Sequence, residues 1–281
     1  MAIKEIYTID AGHFHADGGA CFGVVPKRAW SKRYPCDEDN FCKLTMRCML
    51  IKTTDKNILI ETGAGHKQKD YFKYYGIKDI IDFEEVLPTY GLTCHDITDV
   101  ILTHLHFDHC GDCTYYDENK NLQLTFPNAS YWVGKSQWEN FLNPNVREAD
   151  SYFPENMLPV LEAGRLKLVT KETAICEGVS VKLFGGHTPG QLVVYAQHPK
   201  NTFVFVGDLI PVTANVPLAW VSAYDTFPII AMEAKQAVMD EAIANNHVLV
   251  LVHDAFHACC TVAENRGKYK VERQGMLGEF L

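Results

Sequence analysis

Four apolar, strand-like runs in this sequence each lead into a histidine or an aspartate, and this pattern constrains the fold more than any other feature. The run at residues 99–102 leads to the motif HLHFDH at 104–109. The other three runs are 180–184 before His187, 202–206 before Asp208, and 248–252 before His253. In layered α/β structures, ligands collect beyond the carboxyl ends of the strands. The sequence therefore predicts an α/β protein whose metal-binding side chains converge at one edge.

The side chains at these strand ends are of the types that bind transition metals. The seven candidate ligands are His104, His106, Asp108, His109, His187, Asp208 and His253. Neutral imidazole and carboxylate suit zinc above all, with iron, manganese or cobalt as alternatives. His104 and His106 face one side of an extended strand end, and Asp208 can bridge through its two oxygens. The set suffices for two divalent ions, which lie about 3.5–4 Å apart in two-metal hydrolytic sites.

Such a site predicts hydrolysis by an activated water. Two cations sharing a water lower its pKa from 15.7 toward ~7, and they can also stabilise the oxyanion that develops on the substrate. No G-x-S-x-G motif, which would favour a serine nucleophile, occurs in the sequence. The prediction is a dinuclear metal-dependent hydrolase that uses a metal-bridging hydroxide.

Composition excludes several other classes of protein. With 26 basic and 35 acidic side chains, the formal net charge of −9 offers no general attraction to nucleic acid. The apolar runs are far shorter than the roughly 20 residues of a transmembrane helix. The first residues lack the apolar core of a signal peptide, so a cytoplasmic location is expected. The predicted partner is a small-molecule substrate, not nucleic acid or membrane, and a homodimer is one open alternative for the oligomeric state.

The 281 residues are predicted to form one domain spanning 1–281, because no repeat, low-complexity tract or linker interrupts them. A hairpin is expected from 46–53 and 57–61. The glycine-, proline- and aromatic-rich segment 11–43 is predicted to be a long loop, and 136–159 to form short helices and a lid. Helices are expected at 67–75, 83–90 and 231–244. The last carries an apolar stripe of Ala231, Ala234, Val238 and Ala242.

Four histidines outside the motifs and the cysteines are interpreted as structural. The four histidines are His66, His95, His198 and His247. Cys110 and Cys113 form a CxxC beside the metal motif, but no second CxxC completes a zinc ribbon, so buried packing is the preferred interpretation. The adjacent pair Cys259 and Cys260 is interpreted in the same way. Most of the ten cysteines are expected to be reduced.

Together the motifs resemble those of the metallo-β-lactamase superfamily. They are THLHFDHCGD at 103–112, GGHTPGQ at 185–191, GDLIP at 207–211, and the final strand with its histidine. The resemblance implies a four-layer αββα sandwich. It also implies that His104, His106 and His187 hold one metal, that Asp108, His109 and His253 hold the other, and that Asp208 bridges them.

Shorter stretches are similar to one branch of that superfamily. Residues 17–27 and the pair Tyr224-Asp225 resemble the branch containing N-acyl homoserine lactonases and methyl parathion hydrolase-like proteins. Those lactonases carry a tyrosine three residues after the bridging aspartate, where this chain has Pro211. A substrate-polarising phenol must then come from elsewhere, and Tyr224 is the nearest candidate. The candidate catalytic residues are Asp108, Asp208 and Tyr224.

A second departure concerns the superfamily's usual Asp-Thr-Gly, which is Glu61-Thr62-Gly63 here. Glu61 ends the strand 57–61 and is predicted to accept the distal N–H of a metal-binding histidine. Such a hydrogen bond would fix the tautomer of that ring.

Aromatic residues are expected to supply the substrate pocket. The candidates are Phe14, Phe22, Trp30, Phe107, Trp220 and Tyr224. A pocket of this kind favours an apolar or acyl-bearing substrate. Esters and lactones are the leading substrates, and phosphotriesters and thioesters are alternatives. A sulfur dioxygenase-like oxidoreductase is less favoured, because nothing in the sequence supports it. A non-catalytic metal-binding scaffold is less favoured, because the seven-residue site is intact and carries the prediction.

Overall fold

Two large sheets hold most of the strands in the computed structural model, which describes residues 3–68 and 70–281. Strands are numbered along the chain. The six-stranded sheet has the order β1 (Glu5–Asp17), β2 (Phe41–Lys52), β3 (Asn57–Ile60), β4 (Asp99–Ile101), β7 (Ser130–Gly134) and β8 (Leu166–Val169). The seven-stranded sheet has the order β15 (Lys268–Gly275), β14 (Cys259–Asn265), β13 (Val248–Val250), β12 (Thr202–Phe205), β11 (Gln191–Gln197), β10 (Val179–Phe184) and β9 (Thr173–Cys176). A small hairpin pairs β5 (Thr114–Tyr116) with β6 (Leu122–Leu124).

Helices lie on the outer faces of the sheets. The α-helices are α1 (Gly18–Phe22), α2 (Lys27–Trp30), α3 (Phe83–Val86), α4 (Phe107–Cys110), α5 (Lys135–Leu142), α6 (Pro154–Glu162) and α7 (Pro228–Asn245). Short 3-10 turns occur at Tyr71–Tyr75, Leu87–Tyr90, Cys94–Asp96, Gly111–Cys113, Ala149–Ser151, Gly207–Leu209, Thr213–Asn215 and Leu277–Glu279. No helix in the described ranges combines the length and apolar character needed to cross a bilayer.

The buried apolar residues form three clusters, because alternate side chains of each strand point to opposite faces of its sheet. In β3, Leu59 packs with the helices on the outer face of the first sheet, whereas Ile58 and Ile60 pack between the sheets. In β13, Val250 packs between the sheets and Leu249 packs toward α7 on the opposite outer face. Three apolar cores between four layers confirm the predicted αββα sandwich.

Strand directions bring the motif-bearing ends together. In the second sheet, β10 and β12 are both antiparallel to β11, and β12 is parallel to β13, so all three motif-bearing strands point the same way. The first sheet joins this edge where the backbone N–H of Leu192 donates to the carbonyl of Thr103 at 2.8 Å. The residues after β4, β10, β12 and β13 therefore meet at one edge.

Several local predictions are confirmed. The hairpin of β2 and β3 is antiparallel, as expected. Helix α7 encloses the predicted span 231–244, and its stripe of Ala231, Ala234, Val238 and Ala242 is buried. The chain turns helical from Phe83 to Tyr90 through α3 and a 3-10 turn. Cys110 and Cys113 are buried, and all ten cysteines are free thiols.

Other local predictions are wrong. The expected loop 11–43 is strand up to Asp17, because Phe14 and Ala16 alternate inward after a bulge between Asp10 and His13, and β2 already begins at Phe41. The expected helix 67–75 includes Lys69, which lies outside the described residues. Among the described residues of this range, the helical part is the 3-10 turn Tyr71–Tyr75. Strands β5, β6, β7, β9, β14 and β15 were not predicted.

Candidate metal centre

Three imidazole rings meet after β4 and β10. Nδ1 of His106 lies 3.1 Å from Nε2 of His104 and 3.2 Å from Nε2 of His187. Four ligands at ordinary Zn–N distances form a tetrahedron whose corners are about 3.3–3.4 Å apart. The three facing nitrogens thus have nearly the spacing that one tetrahedral ion imposes. All three side chains are buried, so the cluster fits a divalent cation in both geometry and chemistry.

A second cluster lies beside the first. Nε2 of His109 is 3.7 Å from Oδ2 of Asp108, and Nε2 of His253 is 3.5 Å from the same oxygen. Nε2 of His109 is buried without a hydrogen-bond partner among the described residues. An unpartnered buried ring nitrogen facing a carboxylate and a second imidazole is the arrangement that a cation would complete. These three side chains could hold a second ion.

Asp208 lies between the two clusters and faces both. Its Oδ1 is 3.0 Å from Nε2 of His253, and its Oδ2 is 3.3 Å from Nε2 of His187. The preceding Gly207 has φ of 52°, and a Cβ atom there would lie 2.9 Å from Oγ1 of Thr103. Glycine thus allows the turn after β12 to approach β4 closely enough to place Asp208 between the histidines.

The outward nitrogen of four of the five rings has a hydrogen-bond partner. Nδ1 of His104 lies 3.0 Å from Oγ1 of Thr103, Nδ1 of His109 3.0 Å from Glu61, Nδ1 of His187 3.0 Å from Asp225, and Nδ1 of His253 2.7 Å from the carbonyl of Thr45. His106 is turned the other way, with Nε2 at 3.5 Å from Oε2 of Glu148. An N–H donated outward leaves the inward nitrogen as a lone pair, which is the form that binds a metal.

Glu61 joins the metal motif to the strand before it. Its Oε2 faces His109, and its Oε1 accepts the backbone N–H of Thr103 at 2.7 Å. Glu61 also has φ of 65°, a left-handed conformation that is unfavourable for a residue with a side chain. Buried strain of this kind persists where the surrounding contacts require it.

Glu148 and Asp225 are the partners that sequence reasoning did not single out for this role. The carboxylate of Glu148 accepts hydrogen bonds from Tyr152, Thr226, Asn140 and Asn145 besides facing His106. Asp225 also accepts the backbone N–H of Ser222 at 3.0 Å. The only sequence signal was the Tyr224-Asp225 pair, since contacts of such sequence separation appear only when the chain folds.

The charges within the cluster shift its proton affinities strongly. Burial opposes protonation of His104, and neighbouring His109 and His106 act in the same direction, so its pKa lies well below the usual value. Burial also opposes protonation of His109, but Asp108 and Asp208 outweigh it and raise the pKa to about 10. Carboxylates that attract a proton so strongly would attract a divalent cation at the same nitrogen.

A cavity of about 330 Å³ opens onto the two clusters. Its floor contains His106, Asp108, His187, Asp208 and His253. Its wall is mainly apolar and includes Phe14, Phe22, Leu44, Phe107 and Val212. Phe14 meets the His253 ring edge-on, with the ring centroids 5.2 Å apart. A substrate with an apolar part can therefore lie against this wall while a polar bond reaches the floor.

Two of the predicted pocket aromatics lie behind this wall and do not line it. Trp30 is 1% exposed, stacks on Phe22 at 5.0 Å between centroids, and fills the space beside Gly18. Trp220 meets the edge of Phe22 at 6.4 Å and carries the guanidinium of Arg33 on its face. Both tryptophans support Phe22, because α2 and the loop before α7 pack around that ring.

Two phenols lie on the cavity wall. Tyr224 is 42% exposed and has no hydrogen-bond partner for its hydroxyl among the described residues. Tyr75, which sequence reasoning missed, also lines the cavity, and burial followed by the charge of Asp108 raises its pKa. Pro211 lines the cavity as well and can donate no hydrogen bond.

Comparison with known proteins gives a consistent result. A sequence profile of the metallo-β-lactamase superfamily matches residues 47–253, which include all seven candidate ligands. The N-acyl homoserine lactonase of Bacillus cereus is 22% identical over 217 residues, 73% of this chain and 75% of that protein. A probable metal-dependent hydrolase from Staphylococcus aureus has a similar structure, with a TM-score of 0.87, 28% identity and 98% of each chain covered.

A further solved structure shares the fold. AidC, a dizinc quorum-quenching lactonase, superposes with a TM-score of 0.76 at 21% identity, covering 96% of this chain and 95% of that one. At this identity the likeness concerns the fold alone. The profile match spans well over half of the chain and coincides with the sandwich and with the histidine and aspartate clusters suited to divalent metals. The chain belongs to the metallo-β-lactamase superfamily and is a hydrolase of that superfamily.

Proposed function

We propose that this hydrolase binds two divalent transition-metal ions, zinc being the first candidate, and cleaves an ester or lactone bond. The observation that carries the proposal is the position of Asp208, whose two oxygens face different histidine clusters at 3.0 and 3.3 Å. A carboxylate in that position suits a bridge between two ions. Seven nitrogen and oxygen ligands also exceed what one tetrahedral ion uses.

The ligand sets follow from the two clusters. One ion would take His104, His106 and His187, and the other would take Asp108, His109 and His253. Glu61 and Asp225 accept the outward N–H groups of His109 and His187, and Glu148 faces Nε2 of His106 at 3.5 Å. These carboxylates keep the rings in the tautomer that binds metal and raise the basicity of the inward nitrogens.

When bound, the two ions would supply an activated water nucleophile at neutral pH and polarise the carbonyl oxygen under attack. The chain's own residues do the rest. Asp108 lies at the cavity floor, where it can take up or return a proton. Tyr224, on the cavity wall, would donate a hydrogen bond to the substrate oxygen, the contribution that Pro211 cannot make. The apolar wall orients the substrate and limits the water that reaches the floor.

The substrate class is supported by the cavity and by the lactonase relatives. Phe14, Phe22 and Leu44 provide a surface for an acyl or alkyl group beside the metal floor. The relatives include N-acyl homoserine lactonases, which act on acylated lactones. An acyl-bearing lactone or ester therefore fits this chain best.

A substrate panel with controlled metal content tests the proposal. The protein is stripped with a chelator, reloaded with zinc, manganese, iron or cobalt, and assayed on lactones, aryl esters, thioesters, phosphotriesters and β-lactams. We expect hydrolysis only after reloading and the highest kcat/KM on an acyl-bearing lactone or ester. Highest activity on another class would correct the substrate. Undiminished hydrolysis by the stripped protein would reject the metal-dependent mechanism.

A further inference from the structure

One charged side chain of the cavity has no function in the mechanism above. Arg147 follows α5 and precedes the 3-10 turn Ala149–Ser151. It lines the cavity and is at the same time exposed, so its side chain lies where the cavity opens to solvent. The other charged groups of the lining are the floor residues and Glu148. Arg147 is thus the cation at the mouth of a cavity whose wall is apolar.

The guanidinium of Arg147 is largely unpartnered. One of its Nη groups donates to the carbonyl of Ala223, and no carboxylate within the described ranges lies at ion-pair distance. A guanidinium has five N–H donors arranged to match a carboxylate or a similar oxyanion. One hydrogen bond to a carbonyl leaves most of these donors available at the opening.

The neighbouring carboxylate does not neutralise this charge. Glu148 is buried, and its oxygens accept from Asn145 at 2.6 Å, Tyr152 at 2.7 Å and Thr226 at 2.8 Å. The carboxylate is directed inward, with Oε2 at 3.5 Å from Nε2 of His106. Adjacent residues thus face opposite ways, with the anion serving the metal floor and the cation serving the mouth.

We propose that Arg147 selects substrates that carry an anionic group, such as a carboxylate, at the end remote from the scissile bond. The inference rests on the proposed function, because it requires the scissile bond to lie at the floor. The apolar wall would then contact the middle of the substrate. With a net charge of −9, the protein as a whole repels anions. A cation at the cavity mouth would therefore be the local group that favours an anionic substrate over a neutral one.

A binding experiment tests this without relying on turnover. Hydrolysis of an ester or lactone leaves a carboxylate at the floor, so straight-chain α,ω-dicarboxylates mimic a product with a second, remote anion. Each dicarboxylate is paired with its monoamide, which keeps the floor-directed carboxylate and replaces the remote anion by a neutral isostere. Association constants for the zinc-loaded protein are measured by calorimetry along a homologous series.

For the wild-type protein we expect the dicarboxylate to bind more tightly than its monoamide at one best chain length. Arg147→Gln should reduce this preference about three- to tenfold at low salt, the range for a charge-assisted contact at a partly exposed site. Arg147→Lys should retain part of it, because the charge remains but the planar fork is lost. Raising the salt concentration should weaken the wild-type preference, which a purely structural role would not do.

The matched control is Arg266→Gln, which removes the same charge from the exposed turn between β14 and β15 and not from the cavity lining. This variant should keep the wild-type preference. Equal binding of dicarboxylate and monoamide by the wild-type protein, or an equal loss in both Arg variants, would overturn the assignment of Arg147.

The failure of the proposed function would look different. In that case the monoamides themselves would bind no more tightly to zinc-loaded protein than to metal-free protein. If Arg147 only connects its loop to Ala223, then Arg147→Gln should change dicarboxylate and monoamide binding by the same factor. That result would reject Arg147 as a specificity residue while leaving the metal site in place.

Discussion

Oδ1 of Asp225 lies 3.0 Å from Nδ1 of His187, so the ring is held from behind and its Nε2 faces His106 and Asp208. Asp225 is in turn fixed by the backbone N–H of Ser222. The loop between β12 and α7 therefore contributes Asp225 to the candidate metal centre in addition to Asp208. Its conformation should influence both substrate contact and metal affinity.

We expect Asp225→Asn to weaken metal binding at the cluster containing His187 by about 10–100-fold, because the outward N–H loses a charged acceptor. Competition with a chromophoric chelator measures this affinity. Asp39→Asn, at an exposed position outside the cavity lining, is the matched control. Equal affinities for the two variants would show that the contact between Asp225 and His187 has no influence on the metal.

Asp208→Ala should remove nearly all hydrolysis and at least one ion per chain while the protein stays folded. The reason is that both clusters lose the carboxylate between them, and with it the arrangement that activates water. Circular dichroism checks the fold, and elemental analysis with kinetics checks the effect. A variant that kept wild-type turnover would show that Asp208 is not a bridge.

The phenols are tested by Tyr224→Phe and Tyr75→Phe, each of which removes one hydroxyl and little else. If Tyr224 donates to the developing oxyanion, Tyr224→Phe should lower kcat on the best substrate by up to about 10²–10³ at unchanged metal content. Tyr75→Phe serves as the matched variant on the same cavity wall. A large effect of Tyr75→Phe alone would transfer the role to Tyr75, and unchanged kinetics in both would leave the metals as the sole electrophile.

Lys235 stabilises the loop that carries Asp225. It is 1% exposed on α7, and its Nζ donates to the carbonyls of Pro217, Leu218 and Trp220 at 2.8, 3.3 and 3.1 Å. Lys235→Met keeps an apolar stem but removes the donor, which should lower the free energy of unfolding by about 2–4 kcal/mol.

Urea denaturation measures this loss of stability. The control is Lys182→Met, which breaks a partly exposed ion pair between Lys182 of β10 and Glu241 of α7. It should lower the free energy of unfolding by about 1 kcal/mol or less. Similar losses in the two lysine variants would show that the three carbonyls do not depend on Lys235.

The sequence was most informative where side chains follow strands directly. Both the α/β class and the convergence of the candidate ligands could be predicted from two features. These are the motif HLHFDH after β4 and the single residues that follow β10, β12 and β13. Their positions depend on where the strands end, which apolar runs indicate well. The αββα order of the layers could be predicted only from the resemblance to the superfamily.

Contacts that depend on tertiary packing could not be predicted in this way. Glu148 was not predicted as a partner of His106, and Trp30 was predicted to line the pocket but does not. A carboxylate far along the chain from His106 gives no periodic signal, and a tryptophan near the pocket suits a packing position behind Phe22 as well as a place on the wall. The strand at 11–17 was missed because the bulge after Asp10 interrupts its alternation.

The most direct test of the central claim is activity as a function of bound metal. Stripped protein is titrated with zinc, and kcat on the best lactone or ester is followed together with the number of ions per chain by elemental analysis. The two-ion account predicts that activity rises to a plateau at about two ions per chain. A plateau at one ion, or at most one ion bound even in excess zinc, would contradict it.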